Sequence, residues 1–161
     1  MAMVALGLQQ PVHAQGNGNG ISRGNNDRVR ITGLQDVQFG AFGLGGDAVQ
    51  SQSVCVFSSN RIPAYSVIAL GTGPGSTFAL ASGIDAINFD VLWSEFTGQM
   101  TGEELMAGQP SRDFISAATH HACNNGPMTS ASLIIRVSEA EIASAKAGTY
   151  SGALTLIVSP S

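Results

Sequence analysis

The sequence predicts a single all-β domain, a sandwich or a barrel. From Arg28 onward, short segments alternate apolar and polar residues with a period of two, and Gly, Pro, Asn and Ser punctuate them at intervals. Apolar residues at helical spacing are almost absent. The chain has 161 residues, 43% of them hydrophobic, which fills one sandwich-sized core and is too little for two independent ones.

The elements follow in order. Residues 1–8 are apolar and lead into Gln9, Gln10, Pro11, Val12, His13 and Ala14. Val12 and Ala14 fit the small-residue pattern before a signal-peptidase cut. Residues 1–14 therefore read as a signal-peptide remnant, although the positively charged start of such signals is missing. Residues 15–27, QGNGNGISRGNND, hold Ile21 as their only sizeable apolar side chain. So little burial does not offset the entropy of ordering, and a flexible arm is expected. The folded domain is expected over residues 28–161.

Within it, residues 28–32 place Val29 and Ile31 on one strand face, and residues 36–40 do the same for Val37 and Phe39, with a bend at Gly33. Residues 51–57 carry Cys55 and Phe57 on one side and Val54 and Val56 on the other. Residues 64–70 alternate through Tyr65 and Val67 until GTGPGS stops them. A brief strand is expected over 78–81. The clearest alternation, over 86–94, aligns Ile87, Phe89, Val91 and Trp93. Residues 97–126 are glycine-punctuated and weakly periodic, so they read as an extended loop region in which TGEELMAG makes one helical turn. Residues 132–137 and 149–158 close the domain, the first with Leu133, Ile135 and Val137 inward, the second with Tyr150, Leu154, Leu156 and Val158 on a common face.

Composition excludes some partners. Only 11% of residues are charged, Lys146 is the one lysine among seven cationic residues, and the net charge is -4. Nucleic-acid binders cluster Lys and Arg against phosphate, and nothing here does. No stretch approaches the roughly 18 apolar residues a membrane helix needs, so no membrane span is expected.

The two cysteines, Cys55 and Cys123, form an even pair, which in an exported chain is read first as a disulfide. The alternative is a metal or redox site with His120 and His121. Adjacent histidines in an extended chain point apart, however, and no second Cys or His cluster completes four ligands. No metal and no cofactor is expected.

Four pieces, taken together, carry a resemblance: DVQFGAF, SVCVFSSNRIPAYSVIAL, INFDVLWSE and AGTYSGALTLIVSP. In this order, spanning residues 36–160, they resemble the spore coat protein U type of pilus subunit, the archaic chaperone-usher kind. In that family a V-x-F-G segment opens the domain, a Cys-bearing strand turns into a Y-T-V type strand, and a G-T-Y segment closes it. The resemblance implies an immunoglobulin-like sandwich that lacks its last strand. It also implies a periplasmic chaperone and an outer-membrane usher as partners, neighbouring pilus subunits that donate the missing strand, and a place in a fimbrium at the cell surface. Strand donation is β-augmentation, in which an extended segment pairs with an open sheet edge. The groove and core that accept it are expected at Val37, Phe39, Tyr150, Leu154, Leu156 and Val158.

The chain departs from the family ahead of its first strand. Where an alternating apolar donor and a nearby cysteine are usual, it has the Gly/Asn-rich arm. Either Val29 and Ile31 belong to the donor, or the subunit accepts a strand without giving one, or it is a monomer that closes its own edge. The flank of the terminal strand discriminates: if the chain itself flanks that strand on both sides, the filament reading falls.

Catalytic patterns are missing. A Ser/His/Asp system needs a hydroxyl on a strained turn beside a histidine, and the domain offers only His120 and His121. GTGPGS has no following Lys or helix and reads as a surface turn. Glu103 and Glu104 are adjacent, and adjacent acids seldom face each other across a substrate. Trp93 and Tyr65 suggest a sugar-stacking surface, but their periodicity puts them in the core. The sequence is thus read as structural and not enzymatic. The alternative is a secreted, self-complete sandwich that binds a glycan or protein through its 97–126 loops.

Overall fold

The computed structural model describes residues 28–43 and 45–161, and the backbone of residues 3–9. The arm assigned to residues 15–27, and residues 10–14 of the segment read as a signal remnant, lie outside the described residues. The elements are β1 (Met3–Gln9), β2 (Val29–Thr32), β3 (Val37–Ala41), β4 (Ala48–Ser58), β5 (Ala64–Gly71), β6 (Ala79–Ser82), β7 (Asp85–Asn88), β8 (Asp90–Ser94), β9 (Glu103–Leu105), β10 (Phe114–Ile115), β11 (Ala131–Val137), the short helix α1 (Glu139–Ser144) and β12 (Thr149–Pro160).

They form a sandwich, as the alternation predicts. One sheet runs β10-β5-β12-β1-β3, with the β6–β7 hairpin attached to β12, and the other runs β2-β4-β11-β8-β9. Every strand pair is antiparallel except β1 with β12, which is parallel. Inward rows from both sheets meet in one core, with Val54, Val56, Trp93, Leu133 and Ile135 on one side and Tyr65, Val67, Leu154 and Leu156 on the other. Tyr65 meets Trp93 edge-on at 6.4 Å between ring centroids and lies 5.8 Å from Phe114.

Two of the chain's several changes of sheet are explained by local residues. Gly33, at φ 87°, separates β2 in one sheet from β3 in the other; this left-handed backbone suits glycine, which lacks a Cβ. The single strand expected over 86–94 is instead two, β7 and β8, in different sheets. Phe89 is the switch. Its N–H donates to Phe78 O at 3.0 Å and its ring stacks on Phe78. Ile87, Phe89, Val91 and Trp93 nevertheless all stay buried, so the alternation reports one inward face across both strands.

The expected loop over 97–126 contains β9 and β10, and the helical turn expected in TGEELMAG is strand. A Cβ at Gly102 would sit 2.4 Å from Trp93 O, so the missing side chain lets β9 close onto β8, where Glu103 pairs with Trp93 and Leu105 with Val91. Helix α1 was not signalled by periodicity, because six residues give too little of it. Its N-cap is Ser138, whose hydroxyl accepts from Glu141 N at 3.3 Å.

The outer face of the second sheet is covered too. Ile134 is fully buried yet stands on the opposite side of β11 from Leu133 and Ile135. Across that face Gly98 N donates to Ser53 Oγ and Gln99 N to Ser132 Oγ, each at 3.0 Å, while Ser51 Oγ donates to Gln99 O. Farther along β4, the disulfide Cys55–Cys123 is formed, with Cα atoms 6.0 Å apart, and packs with Ala118 and Phe57. It fastens the segment before β11 to β4.

Candidate functional site: the seam beside the terminal strand

The residues expected to line a strand-accepting groove lie together. Tyr150, Leu154, Leu156 and Val158 are buried along the inner row of β12, and Val37 of β3 is buried with them; Phe39 is partly buried against the same core and 5.8 Å from the ring of Phe42. At position 152 the inner row has glycine. A Cβ there would meet Ala79 O at 2.7 Å and Leu80 Cδ2 at 3.1 Å, so the side chain of Leu80 fills the place that β12 leaves empty.

Two strands divide the length of β12. On one side β5 pairs with Leu154 through Pro160, and on the other β1 pairs with Thr149 through Thr155. By register, Val4, Leu6 and Leu8 stand beside Tyr150, Gly152 and Leu154, the inward positions of β12. The far side of β1 pairs with β3, Leu6 opposite Val37 and Val4 opposite Gly40.

The β1–β3 ladder slips between Val4 and Ala5, which pairs with Gln38, so Phe39 is the extra residue of a β-bulge. Gly40 beside it has φ 68°, the left-handed backbone that a glycine bulge uses. This gives the V-Q-F-G stretch a physical meaning. Val37 fills the core, Phe39 is displaced by the bulge, and Gly40 permits the displacement.

β1 is the only described connection between β12 and β3 within this sheet. Among the described residues β12 is thus flanked by both β5 and β1 at Leu154 and Thr155, an arrangement that opposes the filament reading there, while Leu156 to Pro160 pair with β5 alone. The closing strand, however, comes from residues 1–14, the part read as a signal remnant. Val29 and Ile31, the possible donor residues, are not at the seam. They pair with Ser58 and Val56 of β4 in the other sheet, so within this chain they belong to the domain's own first strand.

The remaining candidates are structural. Trp93 and Tyr65 are fully buried and joined by a hydrogen bond from Trp93 Nε1 to Tyr65 Oη at 3.1 Å, so neither offers a sugar-stacking face. Burial pushes the Tyr65 hydroxyl up to about 12, against a smaller lowering by the Trp93 hydrogen bond. Glu103 pairs with Arg112, which also reaches Glu95 and lies 4.4 Å over the Phe114 ring; Glu104 is exposed. The GTGPGS stretch makes a 3-10 turn at Pro74–Ser76. His120 and His121 have ring centroids 4.1 Å apart, and His121 meets Phe57 edge-on. No group of three or more metal-ligating residues occurs among the described residues, and none of their helices is long and apolar enough to cross a membrane.

No family model matches the chain, and no curated protein does.

Proposed function

We propose that this protein is a structural, strand-accepting subunit of a chaperone-usher type surface fibre, with the seam between β12 and β3 as its acceptor groove. Supporting it most directly is how that seam is closed. Its occupant is a strand from outside the 28–161 body, running parallel to β12. A continuation of the chain past Ser161 by a tight hairpin would run antiparallel, so β1 fills the place of a last strand without being one.

The chaperone, the usher and the cell-surface location rest on the resemblance alone.

The test is the chain that begins at Gln15. Purified alone, a strand acceptor is oligomeric or unstable by sedimentation and thermal melting. A chain that stays monomeric and melts cooperatively at the temperature of the full-length protein removes the proposal. That result favours the second reading, a self-complete sandwich binding a glycan or protein through its 97–126 loops, which the pairing of β12 with its own chain on both sides at Leu154 and Thr155 supports.

A further inference from the structure

We infer that copies of this chain dock head to tail, the pole where β12 ends resting on the pole where α1 and the β6–β7 turn stand in the next copy. The inference goes beyond the strand-accepting reading and needs no exchanged strand, because it rests on exposed side chains at the two ends of the sandwich.

At the first pole the exposed large apolar residues are neighbours. Ile115 pairs with Ala64, whose N–H donates to Ile62 O. The Ile115 N–H donates to Glu95 Oε2 at 2.7 Å, beside Phe96, and Thr97 shares a 2.6 Å hydroxyl hydrogen bond with Thr129, beside Met128. Ile62, Ile115, Phe96 and Met128 thus follow one another around this end, with Phe96 66% and Met128 83% exposed. Arginines stand on one side of them. Arg61 follows Asn60, whose Nδ2 donates to Ser161 O, while Arg28 and Arg30 run along the edge of β4 beside Ser59 and Phe57. All three are exposed, and none enters an ion pair among the described residues. The acids of this pole are Asp113 and the pair that Arg112 bridges, Glu95 and Glu103.

The opposite pole has the other sign. β6 pairs antiparallel with β12 at Ala81 and Ser151, so the turn that follows it carries Ile84 past the start of β12, 98% exposed. Around it stand acids. Asp47 Oδ1 accepts from the Glu139 N–H, and the Glu141 carboxylate accepts from Asn88 of β7. The cations of this end, Lys146 and Arg136, are taken up by Asp85 and Asp90, so the balance is negative.

The signs select the mode of contact. A two-fold contact through either end sets arginine on arginine or acid on acid, and like charges brought together oppose association. Head to tail, Arg28, Arg30 and Arg61 face Asp47, Glu139 and Glu141, and Ile84 meets the apolar end of its neighbour. Such a heterologous contact does not close on itself, and it builds a row.

The experiment is sedimentation of the full chain over a range of protein concentrations. Association is expected to weaken by about threefold when salt rises from roughly 0.15 M to 1 M, as the screening length falls from about 8 Å to 3 Å. One variant, Arg30→Glu with Arg61→Glu, spoils the first pole, and another, Ile84→Ser with Glu139→Ser, spoils the second. All four side chains are exposed, so both variants should keep the melting temperature of the parent. Each alone should associate at least about tenfold more weakly. Mixed in equal amounts they should form dimers and nothing longer, because one intact pole of each kind remains, on different copies. A parent chain that stays monomeric throughout, or a variant that associates as tightly as the parent, overturns the inference. Assemblies that resist salt and persist in both variants also overturn it, while the strand-accepting reading stands.

Discussion

Trp93 donates its indole N–H to the hydroxyl of Tyr65 across the middle of the sandwich, 3.1 Å apart and with both side chains fully buried. The pair is a polar contact inside an apolar core. Tyr65→Phe leaves the indole N–H buried without a partner and should cost about 1–3 kcal/mol, while adding Trp93→Phe should cost less than the sum of the two single changes. Denaturant titration of the three variants measures this.

The same hydroxyl sets a high-pH limit. Tyr65 ionises near 10.0 when unfolded and near 12 when folded, because burial opposes the charge. Above pH 10 the unfolded state releases this proton and the folded state holds it. Stability contributed here is full below pH 10 and falls as the pH rises toward 12, by up to about 3 kcal/mol. Tyr65→Phe should flatten that decline, as seen in melts taken across the range.

Reduction of Cys55–Cys123 opens a loop of 68 residues in sequence separation and should lower stability by about 4 kcal/mol. The segment around Ala118 should loosen first, because Cys123 ties it to β4 beside Phe57. Hydrogen exchange with and without reductant checks both the size and the place of the effect.

Gly71→Ala should be severe. Its Cβ would fall 2.1 Å from Thr77 O and 2.7 Å from Thr77 C, so backbone must move, at a cost of about 3 kcal/mol or more. Gly43→Ala is the control: nothing lies within 4 Å of its added carbon, and it should change stability by less than about 0.5 kcal/mol.

Surface charge should matter less. Arg112 bridges Glu95 and Glu103, but its side chain is 53% exposed. Arg112→Ala should cost under about 1 kcal/mol, and less again in high salt.

Alternation made most of this fold legible, and its failures have physical causes. Tyr65, Trp93 and the inner row of β12 were placed correctly, because a period of two is what a half-buried strand imposes on its side chains. The switch at Phe89 left no mark, because the inward face continues while the hydrogen-bond partners change. The strand at Glu103–Leu105 is three residues long, too short to show a period, and Gly102 reads as loop although its role is to admit Trp93 O. Helix α1 does carry a signal. Ser138 and Glu141 have the spacing of a capping box, though the Glu141 carboxylate accepts from Asn88 instead of its own helix. At the seam, the inner row of β12 is legible from alternation, but the strand beside it is not, because residues 1–8 read as a leader and not as part of the fold.

The direction of β1 reaches beyond the single domain. Because it runs with β12, its Gln9 end points toward Pro160. Around that pole Ile62 and Ile115 flank Ala64 and are 68% and 48% exposed. A donor inserted in the same sense would set its own body down over these two isoleucines. In the fibre proposed above, each junction would bury them, the row would have a head and a tail, and only the copy at one extremity would show them to water.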